Sequence, residues 1–456
     1  MGSCISDNRI DINAAKVRQP SVYFSIPPFI FGCVVHFSSV EFRYLRSVFS
    51  AAVFAPLRES AFRRYFAFRF LLTVGIQMME TVLGWQLYDL TGDELVLGLI
   101  GLWIALPFIV TSIGGGYIAD HFNRKRVVLG ATAGWFACCL LLCALNGNEL
   151  FWLKKYGLWP VYVLIGFTGV VRGFMAPALT AMFSQVLPRS LYGQGITLNT
   201  NAWQIGAVLG PAAGGLLYGW GGVWLAYAVV IACIGLAFLL FWGISVEEAP
   251  ATERREPFFI SLREGLRFLR QQKILLSSIS LDLFAVLLGG AVALLPAFAR
   301  DVLHCGPQGL GLLRGATFMG SALMGFILLW RPPFQQAGRN LLLSVSLFGL
   351  CIVGFGLSRS FYLSFAMLFL SGMFDNVSVI IRSTILQTMT PDHMRGRIAA
   401  INSVFISSSN EIGAFESGAM AKLLGLVPSV VFGGILTQGV VMLTAWRVPG
   451  LRKLRM

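Results

Sequence analysis

The chain has 456 residues, of which 56% are hydrophobic and 12% charged, with a net charge of +14 and a mean hydropathy of +0.74. Soluble domains carry about 25% charged residues, so the polar surface needed to coat a water-soluble fold of this length is missing. The class that remains is a polytopic membrane protein, whose apolar faces are solvated by lipid.

Residues 1–60 fit no membrane span. Their apolar stretch, SVYFSIPPFIFGCVVHF, is broken by Pro27 and Pro28 and lacks the basic-then-apolar layout of a secretory signal. MGSCIS matches the myristoylation pattern, with Cys4 placed for a second acyl chain, but a many-span protein needs no lipid anchor. We read 1–60 as a disordered extension or as sequence upstream of the true start.

Apolar stretches of crossing length, roughly 17–25 residues, then fall at 66–88, 95–118, 127–145, 161–184, 196–218 and 223–244. A second set follows at 274–298, 310–330, 341–357, 361–386, 398–424 and 429–446. The expected fold is an all-α membrane protein with twelve transmembrane helices in two six-helix halves, 61–245 and 274–456. The linker, 246–273, contains PFFISLREGLRFLRQQK, whose apolar and basic residues alternate as in an amphipathic helix on the inner membrane surface.

With the N-terminus inside, Arg124, Lys125, Arg126, Arg189, Arg263, Arg267, Lys273, Arg339, Arg395, Arg397 and Arg447 all fall inside. The outer loops hold only Lys154, Lys155, Arg300, Arg359 and Lys422. Both termini are therefore expected to be cytoplasmic. The net charge becomes a topology signal facing anionic lipid, and no nucleic-acid partner is implied. Cys138, Cys139, Cys143, Cys233 and Cys351 lie inside spans, and no Cys or His spacing suits a metal.

Between the second and third spans, GGYIADHFNRKRVVLG places Gly116, Asp120, Arg124, Lys125 and Arg126 at a helix–loop–helix junction. This G-x-x-x-D-x-x-x-R-[KR]-R arrangement resembles the loop signature of the major facilitator superfamily. It departs at His121, where the family has a basic residue, and at Asn123, where it has glycine. Asn tolerates the left-handed backbone a glycine would supply. By resemblance, Gly116, Asp120, Arg124 and Arg126 form a gating loop that latches the halves. QQAGRN, at 335–340, echoes the loop in the second half, as a duplicated six-span unit would, making the halves pseudo-symmetric.

On the fifth span, QIGAVLGPAAGGLLYGW sets Gly206, Gly210 and Gly214 on one face, with Pro211 and Gly215 beside them. Small residues let membrane helices approach closely, and the proline removes one backbone donor. The pattern resembles the antiporter signature of the superfamily's export branch and implies a hinge. WQLYDLTG, LQTMTPDHMRGRIAAINSVF and NEIGAFESG resemble the drug- and siderophore-efflux branch, which includes bacterial enterobactin exporters.

Nine charged residues fall within the spans, apart from Lys422 at the outer end of the eleventh: Arg69, Glu80, Arg172, Asp282, Arg314, Asp375, Arg382, Glu411 and Glu416. Intramembrane charges cost roughly 2.5–3.5 kcal/mol on insertion scales and therefore face water or one another. Arg69 and Glu80 share a face, as do Asp375 and Arg382. A proton carrier needs a carboxylate whose affinity for a proton changes between states through burial and an approaching arginine. The proton-coupling candidates are Asp375 and Glu411 first, then Glu80, Arg172 and Asp282, with Arg382 and Arg69 as charge partners. Arg314 and Arg382 also admit a purely structural reading.

The resemblance implies proton-coupled efflux of a small amphipathic compound, a drug or siderophore, by alternating access through the inner membrane. The partners are then protons and lipid, with no cofactor, and the protein works as a monomer. An importer, a facilitator or a lysophospholipid flippase would use the same fold. A non-transporting receptor or an enzyme is less well supported, because no phosphate loop, metal cluster or nucleophile–base pair is present.

Overall fold

The structure is a computed structural model and describes residues 54–121, 123–146, 155–245, 258–328, 334–391 and 394–455. Residues 1–53 of the expected extension, residues 246–257 of the linker and the side chain of Asp120 lie outside the described residues. No strand occurs among the described residues. Hydrocarbon offers no hydrogen bonds, so each apolar stretch satisfies its own backbone as a helix.

The first helices are α1 (Ser60–Thr91), α2 (Glu94–His121), α3 (Arg124–Asn146) and α4 (Trp159–Val186). The next element, Tyr192–Trp242, is interrupted at Gly222, with φ 70° and ψ −169°. Its two arms are α5 (192–221) and α6 (223–242). Unbroken, the stretch Arg189–Trp242, 54 residues long, would extend about 80 Å at 1.5 Å per residue, far beyond one crossing. The backbone stays helical through Pro211.

The second set is α7 (Lys273–Leu288), α8 (Gly306–Leu328), α9 (Ala337–Leu357), α10 (Phe361–Met389), α11 (Arg395–Leu424) and α12 (Leu426–Arg447). Ten stretches are long and apolar enough to cross a bilayer. Division at Gly222 adds one crossing, and α11 adds another. At 30 residues α11 is long enough, but Arg395, Arg397, Glu411, Glu416 and Lys422 dilute its hydropathy. The described residues thus form a twelve-helix bundle.

The seventh span is not the single helix expected at 274–298. It stops at Gly289–Gly290 and resumes as tight and wide turns through Val302. Two adjacent glycines weaken the helix, and Pro296 removes a donor further on.

Turn chemistry fixes the connections. Gly92 ends α1 with φ 62°, its N–H donating to Tyr88 O at 2.8 Å. Asp93 Oδ1 then accepts from Leu95 N–H at 3.0 Å and caps α2. One apolar core, including Phe62, Phe68, Met78, Tyr227 and Phe241, is drawn from residues 62–244. Another, including Leu275, Leu341, Ile381 and Ile398, comes from residues 269–451. The linker helix, Phe258–Gln271, packs on α11 through an Arg397–Glu264 bridge.

Candidate functional site

Three acids meet three arginines inside the bundle. Arg172 on α4 donates to Glu411 Oε1 on α11 at 2.7 Å, and Arg314 on α8 donates to Glu80 Oε2 on α1 at 2.7 Å. Each bridge joins α1–α6 to α7–α12, spanning 239 and 234 residues of sequence. The Phe108 ring also lies 5.9 Å from the Arg172 guanidinium. The third bridge, Arg382 on α10 with Asp282 on α7, lies within the second set and is only 8% and 7% exposed.

The two crossing bridges are not independent. Glu80 and Arg314 lie within electrostatic reach of Glu411, and Glu80 within reach of Arg172. Glu80, Arg172, Arg314 and Glu411 therefore form one charge-balanced quartet between the two sets. Burying any one of them unpaired would cost several kcal/mol.

Sequence spacing offers Arg382 to Asp375, but the structure gives it to Asp282. Two helical turns separate residues 375 and 382, about 11 Å along the axis, too far for direct contact, while α7 brings Asp282 alongside. Asp375 lies within electrostatic reach of that pair and makes no bridge of its own among the described residues. Arg69 has no acidic partner among them either, and its Nε is buried without an acceptor. Glu80, on the same face, is engaged by Arg314.

The α5 glycines divide between two surfaces. A methyl group at Gly206, Gly210 or Gly214 would press on Thr73, Gln77 or Met78 of α1, within the same set. Gly215 instead meets Pro307 and Gly311 of α8, and Gly311 in turn meets Pro211. One motif thus packs α5 onto α1 with one face and across to α8 with another. A matching seam joins α2 to α11, where Gly98 lies against Gly418, and Gly101 against Glu411 and Ala414.

In the loop motif, Arg124 and Arg126 occupy the first turn of α3. Asn123 Oδ1 accepts from Arg126 N–H at 3.2 Å, so Asn123 caps the helix rather than supplying a left-handed turn. The only non-glycine residue with positive φ among the described residues is His304.

One end of the bundle carries a further interlock. Tyr88 on α1 bonds Asp301, while Arg300 donates to Tyr88 O at 3.0 Å and to Asp89 O at 3.1 Å. Lys422, near the end of α11, meets Asp93 at 2.9 Å. Sequence reasoning missed this interlock and the Gly98–Gly418 seam. Small residues spaced three apart at Gly98 and Gly101, in an otherwise bulky helix, were the available signal for the seam.

Asp93 provides a test of this end. Partial burial alone would raise its carboxyl, but hydrogen bonds from Lys422 and Leu95 N–H outweigh that and hold it below the usual carboxylate range. Its stabilisation is complete above the unfolded pKa, about 3.9, and is lost as pH falls through the lower folded value. Asp93→Asn keeps the cap but removes the charge. It is expected to flatten the acid limb of the thermal-melting profile while costing under about 1 kcal/mol at neutral pH, as exposed pairs do. An unchanged acid limb would contradict this role.

Comparison with known proteins places this geometry in a class. The profile of the Major Facilitator Superfamily matches residues 65–414, and the chain belongs to that superfamily. It is an integral, multi-pass membrane transporter. It is 27% identical over 389 residues to the enterobactin exporter EntS of Shigella boydii serotype 4, covering 84% of this chain and 91% of the relative. It is 28% identical over 390 residues, with the same coverage, to the enterobactin exporter EntS of Shigella flexneri. A solved bacterial homologue of the human lysosomal transporter Spinster, inward-facing and unoccupied, superimposes with a TM-score of 0.68 at 14% identity. The match covers 87% of this chain and 99% of that one. The POT family transporter PepTSo gives 0.70 at 11% identity, over 86% of this chain and 98% of that one. These structural likenesses concern the fold.

Proposed function

We propose that the protein is a proton-coupled exporter of a small amphipathic compound, of drug or siderophore type, in a bacterial cytoplasmic membrane. The observation that carries this reading is the quartet of Glu80, Arg172, Arg314 and Glu411, which ties the two six-helix sets together in a relative of enterobactin exporters. Alternating access requires the sets to separate at one end and close at the other. A bridge across the divide therefore forms and breaks in every cycle.

A proton supplies the means. Protonating Glu411 or Glu80 removes the charge that holds Arg172 or Arg314, and the bridge opens; deprotonation restores it. Asp375, beside the Asp282–Arg382 pair, is a second acid placed to exchange a proton when Arg382 moves. Arg69, on the Glu80 face, has no acidic partner among the described residues and lies on the same path. Gly215 and Pro211 of α5 let the sets meet closely enough to limit leak, and Gly116, Asp120, Arg124 and Arg126 latch the opposite end. Positive-inside placement puts both termini, with that latch, in the cytoplasm. One chain contains both sets and works as a monomer.

The test uses purified protein in liposomes with an internal pH-sensitive dye and an imposed proton gradient. Amphipathic drugs and a siderophore are added in turn. Compound-dependent proton flux is expected from the native protein, with loss of flux but retained binding in Asp375→Asn or Glu411→Gln. Compound movement without proton flux would make it a facilitator, and movement of lysophospholipid alone would make it a flippase.

A further inference from the structure

The acid that no bridge engages on α11 is Glu416. It faces a small cavity of about 10 Å³, room for a single ion or water, lined by the break in α7 (Leu288–Ala291), Ile352 of α9, Ser417 and Met420 of α11, and Ser429 of α12. No ion pair or hydrogen bond to its carboxylate occurs among the described residues. On the neighbouring elements, Glu411, Lys422 and Asp282 are committed elsewhere. Glu411 holds Arg172, Lys422 holds Asp93, and Asp282 holds Arg382. Glu94 opens α2 with its carbonyl against Gly418, while among the described residues α9 and α12 bring Ile352, Ser429 and Val430 to the cavity.

The break supplies oxygens. A helix that stops leaves its last carbonyls without donors. Here Ala285 O regains one from Gly289 N–H at 2.9 Å, and Gly289 O accepts from Ala291 N–H at 2.8 Å. The carbonyls of Val286 and Leu287 turn toward Gly413 of α11, and that of Leu288 toward Gly433 of α12. Ser417 Oγ packs against Gly290, and Ser429 Oγ spends its proton on Leu426 O, leaving its lone pairs. The result is one carboxylate, two hydroxyls and the non-helical backbone of Gly289, Gly290 and Ala291 around a small space. Hard cations take oxygen ligands, and interrupted helices supply them in membrane carriers.

We propose that this cavity binds a sodium ion through the Glu416 carboxylate, the Ser417 hydroxyl and the backbone oxygens of the break at Gly289–Ala291. A single acid matches a single charge. The site lies apart from the quartet and does not depend on which compound is carried. Gly418, two residues on, forms the seam with Gly98, so occupancy acts on the helix that closes that end.

Labelling with dicyclohexylcarbodiimide, read by peptide mass spectrometry on the intact native protein in detergent, tests this. In choline buffer Glu416 is expected to be modified. Na⁺ at ten times its dissociation constant slows modification about tenfold by mass action, and K⁺ at equal ionic strength does not. Modification that is unaffected by Na⁺ and merely falls as pH rises is the behaviour of any carboxyl, because the reagent attacks the protonated acid, and overturns the proposal. No modification at any pH, or modification indifferent to both, overturns the proposal. Independently, the cation that protects Glu416 should raise the melting temperature of the native protein and not of Glu416→Gln; an equal rise in the variant also overturns it. Neither readout uses a transported compound, so failure here is separable from failure of the export reading.

Discussion

Neutralising both acids of the quartet, Glu80→Gln with Glu411→Gln, is expected to abolish transport and to cost more stability than the sum of the single changes. Glu411 faces Arg172 at 2.7 Å and Glu80 faces Arg314 at 2.7 Å, but each acid also lies within reach of its neighbours' charges. After Glu411→Gln alone, Glu80 still offsets part of the charge on Arg172. After both changes two guanidiniums face each other with no acid between them. Breaking a buried bridge by removing one partner costs about 3–5 kcal/mol. Here the Arg172 side chain is 39% exposed, which favours the lower end or less. A double-mutant cycle on melting temperature in detergent should show non-additivity of about 1–3 kcal/mol, with substrate flux measured in parallel. Strict additivity would mean two independent bridges and would remove the quartet. Arg172→Gln added to Glu411→Gln should regain part of the lost stability, because no charge is then left unpaired at that position.

The parts of this arrangement differ in how far sequence alone reaches. Crossing segments are legible because lipid imposes a single length and an apolar surface on each, so apolar stretches mark all twelve helices. The eleventh stands out least, because five charges dilute the hydropathy of α11. The charged residues inside the membrane are equally legible, since each stands out against its surroundings. Their partners are not. Spacing along one helix suggested Arg382 with Asp375, whereas pairing follows from which helices cross, and the partners of Glu80 and Glu411 lie more than two hundred residues away in sequence. The α5 glycines illustrate the same limit. Their period shows one tight face but not that Gly215 and Pro211 turn toward a different neighbour from Gly206, Gly210 and Gly214. The break in α7 could be suspected from Gly289–Gly290; the cavity behind it depends on α9, α11 and α12 together.

That division of glycines leads to the second large effect. A side chain at Gly418 would meet backbone at once: its Cβ would lie 2.6 Å from Gly98 Cα, 2.7 Å from Gly98 N and 2.8 Å from Glu94 O. No rotamer relieves such a clash, so α2 and α11 must move apart. Overpacking costs typically about 1–3 kcal/mol, and 3 kcal/mol shifts an equilibrium more than about a hundredfold. Because α2 and α11 belong to different sets, that penalty falls on closure of the Asp93–Lys422 end rather than on the folding of either core. Gly418→Leu is therefore expected to leave a well-folded protein with little or no transport. Cross-linking of cysteines placed at Asp93 and Lys422 by a short bifunctional thiol reagent should be efficient in the otherwise native background and about five- to a hundredfold slower with Gly418→Leu, on the same relation between energy and population. Gly210→Ala supplies the contrast. Its added methyl would lie 2.7 Å from Gln77 Cβ and 2.8 Å from Val74 O, within one set, so it should lower melting temperature and yield while leaving the cysteine pair as reactive as before. If Gly418→Leu behaves like Gly210→Ala, losing stability with no change in cross-linking, then the α2–α11 seam belongs to the folded core and closes no gate.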